Sequence, residues 1–318
     1  MKCVAVLVNQ RCPLSCKHCS IGFSESYRGT GHSISPEEMR RLVYLVDTDV
    51  YGIVAMAGGE PSLSPKTLRA GVEACRERGL LSYMVSAPVW GRSAETAQRF
   101  LDKVGGINLI ILSYDDYHLE FLSFDHYRNA AQEAMKRNIH VVFEICYAQE
   151  EEKQRLVDSL DSLGPRALIA PALVNSVGNA EHFDLGQVWV DVQEDADLNR
   201  IPRTCQLGNT LLDTEYTVHG CCWAICGDDS PISHPSNGEE ASIKQAFKEL
   251  DANPVYQSML QARGFIDSLT PQGRKEVMAA VRGERFVTEC DLCMRLMRTE
   301  TKGIWSHCCS NDAVSKAS

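Results

Sequence analysis

Several features that would place this chain in common functional classes are missing from its sequence. No window approaches the roughly 18 consecutive apolar residues that a membrane-spanning helix requires. The N-terminal segment lacks the charged start, apolar stretch and small-residue cleavage site of a secretory signal. We therefore expect a cytoplasmic protein without a membrane partner.

Basic charge is also scarce. The chain has 32 Lys and Arg against 42 Asp and Glu, a formal net charge of −10. Because phosphate contacts dominate nucleic-acid affinity and need a basic surface, we expect no nucleic-acid partner. P-loop and nucleophile-elbow sequences are absent, and the nine histidines show no metal-ligand spacing such as His-x-x-x-His.

Cysteine, in contrast, is abundant, with 14 residues in a chain of 318. Disulfide frameworks belong to oxidising compartments, so this number in a cytoplasmic protein indicates metal ligation or catalysis. With 44% hydrophobic and 23% charged residues, the chain has the composition of an ordinary globular protein. Its length is sufficient to bury a full core.

The most informative cysteines are Cys12, Cys16 and Cys19, which lie in the run RCPLSCKHC. This spacing gives a cluster three thiolates in one short loop, one fewer than a structural four-iron site normally takes. One iron would then be open to an exogenous ligand. A zinc knuckle, the alternative, needs a fourth protein ligand close by.

The loop resembles the cluster-binding motif of the radical S-adenosylmethionine (radical SAM) superfamily. The resemblance implies a [4Fe–4S] cluster whose open iron is chelated by the amino and carboxylate groups of SAM. It also implies reductive cleavage of SAM to a 5′-deoxyadenosyl radical, which abstracts a hydrogen atom from the substrate. An external one-electron reductant of the flavodoxin or ferredoxin type is the expected partner.

About the first 170 residues alternate short apolar runs with longer amphipathic stretches, which is typical of βα units around a parallel sheet. We predict strands over 3–8, 52–56, 81–86, 109–113, 140–147 and 167–171. We predict helices over 36–46, 65–78, 94–104, 126–137 and 150–163. The fold class is therefore α/β, and the resemblance implies a partial (β/α)6 TIM-like barrel. Ligand sites in such folds gather at the carboxyl ends of the strands, where the cysteine loop lies.

The turn Gly58-Gly59-Glu60 follows the second predicted strand. Paired glycines let a backbone approach a ligand closely, and the carboxylate can pair with an ammonium group. The turn resembles the superfamily motif that holds the SAM amino group. The resemblance also places His18 near the adenine, where the family usually has an aromatic residue.

Polar residues at the ends of later strands are further candidates for contact with SAM. Hydroxyls and carboxylates there suit a ribose or the methionine carboxylate, although such residues are also ordinary turn formers. The candidates are Ser86, Ser113, Asp115 and, through its backbone near the adenine, Val177. Asp115 is also a candidate catalytic residue.

A second set of cysteines lies in the last third of the chain. The turn formed by Cys290 and Cys293 can hold one metal from two sides, while Cys205 and Cys221 flank a hairpin predicted over 211–219. The arrangement resembles the short auxiliary-cluster domain called twitch, which implies a second [4Fe–4S] cluster on these four cysteines. Zinc held by four cysteines is the structural alternative.

We place the radical SAM barrel at residues 1–200 and the twitch-like domain at 201–318. The second domain combines a small β-hairpin with a helical segment over 242–282 and a C-terminal tail. Cys3, Cys75 and Cys146 fall in predicted strands or helices and are expected to be small core residues. Cys308 and Cys309 lie in the polar tail, for which we predict no essential role.

The doublet Cys221-Cys222 suggests a reaction. If it continues the second strand of the hairpin, its side chains point to opposite faces, so one sulfur can ligate a cluster while the other reacts. A thiol facing the substrate across from the deoxyadenosyl radical could return a hydrogen atom to the opposite face. Abstraction on one side and return on the other inverts a stereocentre.

Several segments resemble the small radical SAM peptide epimerases, which convert L-residues of ribosomally made peptides to D-residues. These segments are Val89-Trp90-Gly91, residues 113–118, Ser176-Val177-Gly178, the doublet and the pair Cys290 and Cys293. The resemblance implies Cys222 as the hydrogen donor and Cys221 as an auxiliary-cluster ligand. Two departures, the extra Cys226 and Gly220 in place of the usual Pro, leave open that Cys226 takes either role.

The predicted function is thus inversion at a peptide α-carbon. Three alternatives remain: epimerisation or dehydrogenation of an amino sugar or cyclitol in antibiotic biosynthesis, thioether or carbon–carbon crosslinking of a peptide, and redox sensing without turnover. The turn at Gly58-Gly59-Glu60 argues against a sensor, because a sensor has no need of a site for the SAM amine.

Overall fold

The computed structural model describes residues 2–21, 31–164, 167–205, 209–221, 230–297 and 305. The chain divides into two compact units. The first comprises Met1–Lys17 and Phe23–Leu173, and the second comprises His18–Gly22 and Val174–Ser318. The domain boundary near residue 200 stays a prediction.

The first unit is built on a parallel sheet whose strands follow the order of the chain. They are β1 (Lys2–Asn9), β2 (Tyr51–Gly58), β3 (Leu81–Ser86), β4 (Leu109–Ser113), β5 (His140–Tyr147) and β6 (Ala167–Leu173). Each strand pairs in parallel with the next. The six predicted strands are confirmed, and β1, β2 and β6 are longer than predicted.

Helices alternate with these strands. They are α1 (Pro36–Leu45), α2 (Pro65–Glu77), α3 (Ala94–Val104), α4 (Asp116–Leu119), α5 (Phe124–Lys136) and α6 (Glu150–Leu160). The predicted helices are confirmed within two or three residues, and the short α4 was not predicted. Ser35 caps α1 by accepting a hydrogen bond from the Glu38 N–H at 3.0 Å, and Ser93 caps α3 in a capping box with Thr96.

The core of the first unit lies between the helices and one face of the sheet. In β5, Val141, Phe143 and Ile145 are buried, whereas the alternate residues Glu144 and Cys146 are only half-buried. This alternation follows from the two-residue period of a strand. Burial of each large apolar side chain contributes about 1.5–3 kcal/mol. The other face of the strands therefore carries the side chains that are available for a site.

The second unit contains short strands and helices. The strands are β7 (Val190–Asp191), β8 (Asn209–Leu212), β9 (Val218–His219), β10 (Ser233–His234) and β11 (Arg285–Phe286). The helices are α7 (Asp195–Leu198), α8 (Glu240–Ala252), α9 (Pro254–Ala262), α10 (Phe265–Ser268), α11 (Pro271–Val281) and α12 (Glu289–Met297). Antiparallel pairing of β8 with β9 confirms the predicted hairpin, β10 pairs with β9, and β7 pairs with β11.

The helical segment predicted over 242–282 is present but is not continuous. It is divided into α8, α9, α10 and α11. Pro254 and Pro271 each begin a new helix, and Arg263 ends α9 in the left-handed conformation with φ of 62°. Proline lacks the N–H that a helix interior requires, so the breaks follow from the sequence. No helix among the described residues has both the length and the apolar character needed to cross a membrane.

Candidate active site and auxiliary metal centre

The cysteine loop begins where β1 ends, and the turn after β2 is bonded to its first residues. The Gly59 N–H donates to the Asn9 carbonyl at 2.8 Å, and the Glu60 N–H donates to the Arg11 carbonyl at 2.6 Å. The Asn9 side chain adds a bond to the Glu60 carbonyl at 3.1 Å. The backbone directly before Cys12 is therefore held by the turn that carries Glu60.

Close packing explains the two glycines of this turn. A Cβ atom on Gly59 would lie 2.1 Å from the Arg11 carbonyl oxygen, and one on Gly58 would lie 2.4 Å from the Asn9 carbonyl oxygen. Gly58 also has φ of 149°, which side-chain-bearing residues rarely adopt. The close backbone approach seen here is thus to the cysteine loop, and contact of these glycines with a cofactor stays a prediction.

Glu60 is buried and its carboxylate is held from several sides. Its Oε1 accepts from the Ser62 N–H at 3.0 Å and the Ser86 hydroxyl at 2.7 Å, and its Oε2 accepts from the Ala87 N–H at 2.8 Å. Burial raises the pKa of the Glu60 carboxyl, and these hydrogen bonds oppose the shift. The side chain is thus oriented before any ligand binds.

Trp90 extends this network, which the sequence alone did not reveal. Its indole N–H donates to the Ser86 hydroxyl at 3.0 Å, and its ring stacks on Phe100 with centroids 4.6 Å apart. The structure therefore links Trp90, Ser86 and Glu60 in a chain of hydrogen bonds. The Ser86 hydroxyl is buried and donates to Glu60. Its predicted contact with SAM stays a prediction.

Asp115 follows β4 and caps α4. Its Oδ1 accepts from the His118 N–H at 2.9 Å and lies 2.8 Å from His118 Nδ1. A ring nitrogen of His118 lies within 4.8 Å of the Cys16 sulfur. Burial opposes charge on the imidazole, but Asp115 and Cys16 outweigh burial and raise the pKa of His118 well above its ordinary value. A hydrogen-bond donor therefore lies beside a predicted cluster ligand.

Cys146 departs from its predicted role as a core residue. Cys3 and Cys75 are buried as predicted, but Cys146 is half-buried, and its sulfur lies within 4.8 Å of an Asp115 carboxylate oxygen. Burial raises the pKa of the Cys146 thiol well above its ordinary value, and Asp115 and Glu144 raise it further. The sequence did contain an indication that Cys146 is not a core residue. Glu144, two residues earlier, is charged and lies on the same face of β5.

Tyr127 of α5 carries a buried hydroxyl that has no hydrogen-bond partner among the described residues. Burial raises the pKa of this phenol, and Asp115, Cys16 and Glu60 are among the neighbouring groups that raise it further. An unpaired buried hydroxyl costs about 1–3 kcal/mol, so the position favours a polar ligand group. The sequence did not predict a role for Tyr127, because an aromatic residue on a helix is expected to pack in the hydrophobic core.

Ser113, another predicted SAM contact, ends β4 opposite Glu144 of β5.

The residues of the cysteine loop are divided between the two units. Cys12 and Cys16 belong to the first unit, whereas His18 and Cys19 lie in the segment His18–Gly22, which groups with the second unit. Within the second unit, the Asn179 N–H donates to the Cys19 carbonyl at 2.9 Å, and the Val177 side chain is fully buried. Within the first unit, the thiols of Cys12 and Cys16, the oriented carboxylate of Glu60 and the unpaired hydroxyl of Tyr127 are groups that fit an iron–sulfur cluster and SAM.

Four cysteines of the second set lie near one another. Burial raises the pKa of the Cys293 thiol well above its ordinary value, and Cys221, Cys205, Cys290 and the Glu289 carboxylate raise it further. None of the described cysteines is disulfide-bonded to another. Four cysteines are a ligand set that suits a soft metal or an iron–sulfur cluster, which binds them as thiolates. A metal centre on these residues stays a prediction.

The hairpin that leads to Cys221 is held by a buried polar network. Asp213 Oδ1 accepts from the N–H groups of Glu215 at 2.8 Å and Thr217 at 2.9 Å, and its Oδ2 lies 3.0 Å from His219 Nε2. His219 Nδ1 lies 2.8 Å from the Ser233 hydroxyl. These bonds fix β8, β9 and β10 just before Cys221. The predicted residues Cys222 and Cys226 lie outside the described residues.

Comparison with known proteins identifies the family. Residues 6–163 match the family model of the Radical SAM superfamily, and they contain the cysteine loop, the turn with Glu60 and most of strands β1 to β5. The chain belongs to the radical SAM superfamily.

A relative among curated proteins is the "Putative peptide biosynthesis protein YydG" of Bacillus subtilis (strain 168). It is 27% identical over 186 residues, which cover 57% of this chain and 57% of the relative. The chain thus matches less than two thirds of the length of that protein.

Two solved structures share the fold. Streptococcus suis SuiB bound to precursor peptide SuiA has a TM-score of 0.57 and 13% identity, covering 80% of this chain and 65% of SuiB. Histidine-tagged anSMEcpe with bound AdoMet has a TM-score of 0.53 and 13% identity, covering 78% of this chain and 76% of that protein. At these identities the similarity concerns the fold alone, and it confirms the predicted α/β partial barrel.

Proposed function

We propose that this protein is a radical SAM epimerase that inverts the α-carbon of a peptide residue. The observation that carries the proposal is that Cys205 is held beside the cysteine pair of α12, because Glu289 accepts from the Cys205 N–H at 2.9 Å and the Thr204 hydroxyl donates to the Cys290 sulfur at 3.4 Å. Cys221 acts on the same thiols, since it raises the pKa of Cys293, and Cys222 follows it in the sequence. A peptide substrate is supported by the name of the Bacillus subtilis relative and by the fold similarity to a protein bound to a precursor peptide.

The proposed cofactors are two [4Fe–4S] clusters and SAM. Cys12, Cys16 and Cys19 would hold the first cluster, and the four cysteines of the second set would hold the auxiliary cluster. When bound and reduced, the first cluster and SAM supply a 5′-deoxyadenosyl radical that removes a hydrogen atom from a substrate carbon. Glu60 would bind the SAM ammonium group, because its carboxylate is already oriented by Ser62, Ser86 and Ala87.

Cys222 would return a hydrogen atom from the opposite face of the substrate. Pairing of the hairpin extends beyond β9, since the Gly220 N–H donates to the Ile232 carbonyl at 2.8 Å. The strand β9 itself ends at His219, and Gly220 and Cys221 lie in bends. The donor role is therefore proposed from the place of Cys222 in the sequence, directly after a proposed ligand of the auxiliary cluster. The thiyl left on Cys222 then needs one electron and one proton, which an external one-electron reductant and solvent would supply.

The test is an anaerobic reaction in deuterated water with SAM, dithionite and a pool of synthetic L-peptides. Products are hydrolysed and analysed by chiral separation and mass spectrometry. We expect the wild type to give D-residues and Cys222→Ala to give 5′-deoxyadenosine without D-residues. Cys226→Ala tests the other candidate donor and, under this proposal, should retain inversion.

Two outcomes would contradict this assignment. Undiminished inversion by Cys222→Ala would remove that thiol from the mechanism. Products lighter by two hydrogens would instead indicate dehydrogenation or crosslinking.

A further inference from the structure

The cysteine pair of α12 is interleaved with two acidic residues, in the order Glu289, Cys290, Asp291 and Cys293. Both carboxylates are buried, although neither forms an ion pair with a described Lys or Arg. Each accepts hydrogen bonds from the backbone of a distant segment of the second unit. The two segments differ, so each carboxylate holds a different part of the second unit in place.

Glu289 holds the segment that carries Cys205. Its Oε1 accepts from the N–H groups of Thr204 at 3.1 Å and Cys205 at 2.9 Å. The Thr204 hydroxyl in turn donates to the Cys290 sulfur at 3.4 Å. These contacts stay within the auxiliary site, because both ends carry a cysteine of the second set.

Asp291 reaches a different segment. Its Oδ2 accepts from the N–H groups of Val287 at 3.0 Å and Thr288 at 2.9 Å, which fixes the carboxylate at the start of α12. Its Oδ1 accepts from the Ser176 N–H at 2.6 Å. The Thr288 hydroxyl strengthens the same junction by donating to Asn175 Oδ1 at 2.7 Å. Residues 175 and 176 are therefore tied to α12.

The same segment contacts the cysteine loop three residues later. The Asn179 N–H donates to the Cys19 carbonyl at 2.9 Å. A Cβ atom on Gly178 would lie 2.4 Å from the Ser20 carbonyl oxygen and 2.7 Å from that of Cys19, so the two backbones are in close contact. Val177 between these contacts is fully buried. A short, packed segment thus joins Asp291 to Cys19.

We propose that Asp291 is a positioning residue that couples the helix of the auxiliary site to the SAM-cluster loop at Cys19. The proposal rests on the clusters assigned under the proposed function but not on the inversion reaction. Occupation of the auxiliary site, which fixes α12, would hold segment 175–179 and through it the backbone of Cys19. Removal of the bond between Asp291 and Ser176 would loosen Cys19 while leaving the auxiliary cysteines in place.

Asp291→Asn tests this coupling with little change in shape. An Asn side chain has one acceptor oxygen, which can keep the two bonds to Val287 and Thr288. Its NH2 group would then face the Ser176 N–H, so that bond is lost. We expect iron content to remain near the wild-type value of about eight per chain. The dissociation constant of SAM should rise about tenfold, as is typical when an outer-shell partner is removed.

Gly178→Ala acts at the other end of the same path, because its Cβ atom would displace the segment from Cys19 and Ser20. It should weaken SAM binding in the same direction as Asp291→Asn, again with iron retained. Asp197→Asn is the matched control. Asp197 lies in the same unit, and its Oδ2 also accepts two backbone N–H groups, from Gln193 at 2.9 Å and Glu194 at 3.0 Å.

The measurements are iron content, circular dichroism, and the SAM-induced change in the electron paramagnetic resonance spectrum of the reduced protein during SAM titration. None of them needs a peptide, so failure of the epimerase assignment would leave the test intact. Wild-type SAM affinity and spectra in a folded Asp291→Asn variant would overturn the coupling. Loss of iron from the auxiliary site alone would also overturn it. If Asp291→Asn does not fold, Gly178→Ala decides the question by the same readouts.

Discussion

The first proposed cluster site takes its three thiols from residues 12–19, whereas the second proposed site takes its four from positions spread over residues 205–293. At the first site the backbone does the positioning, since the N–H groups of Gly59 and Glu60 bond to the loop before Cys12. At the second site a buried side chain does it, since Glu289 holds the backbone of Cys205. The ligands of a site within one loop can thus be predicted from a short motif. The ligands of a site assembled from distant segments can be identified only once the tertiary fold is known.

The largest expected effect separates the two sites directly. Cys16→Ala should lose the first cluster, and 5′-deoxyadenosine formation should fall to background because no open iron remains for SAM. Cys293→Ala should lose the auxiliary cluster but still cleave SAM. Each variant should retain about four of the roughly eight iron atoms per chain. Iron analysis and chromatography of 5′-deoxyadenosine give the answer, and SAM cleavage by Cys16→Ala would refute the assignment of the loop.

A smaller effect is expected for Glu60→Gln, which sharpens the role of the turn after β2. The change removes the negative charge proposed to pair with the SAM ammonium, and places an amide opposite the Ala87 N–H. The dissociation constant of SAM should rise about 10- to 100-fold, which corresponds to the loss of a charged hydrogen bond. Iron content should not change.

Glu152→Gln is the control for that experiment. Glu152 also lies in the first unit, where it accepts a hydrogen bond from the Ala148 N–H at 2.8 Å. It should bind SAM as the wild type does. Unchanged SAM affinity in Glu60→Gln would mean that the carboxylate serves only the packing of the turn.

The smallest effect is expected for Trp90→Phe, which tests whether the first site needs support beyond its backbone. The substitution keeps an aromatic ring against Phe100 but removes the N–H donated to Ser86. The free energy of unfolding should fall by about 1 kcal/mol, measured by urea denaturation. An unaltered unfolding curve would show that the indole bond contributes nothing to stability.

The predictability of each site follows the same division. The sequence was sufficient to predict the six strands, the cysteine loop and the turn with Glu60, because hydrophobic alternation and motif spacing are local properties. The unpaired hydroxyl of Tyr127 and the hydrogen bonds that link Trp90 to Glu60 could not be predicted, because they depend on which helix face packs against which strand end. The bond from Ser176 to Asp291 joins residues 115 positions apart, and no local pattern marks it. Cys146 was misassigned because burial of one strand face cannot be read from a single cysteine.

The most direct test of the account is the isotopic label that the product of the wild-type enzyme acquires in deuterated water. A thiol proton exchanges with solvent, so return of a hydrogen atom from Cys222 predicts D-residues that carry one deuterium at the inverted α-carbon. The Cys222→Ala variant should yield no such residue. D-residues without deuterium from the wild type would contradict a cysteine donor and with it the central claim.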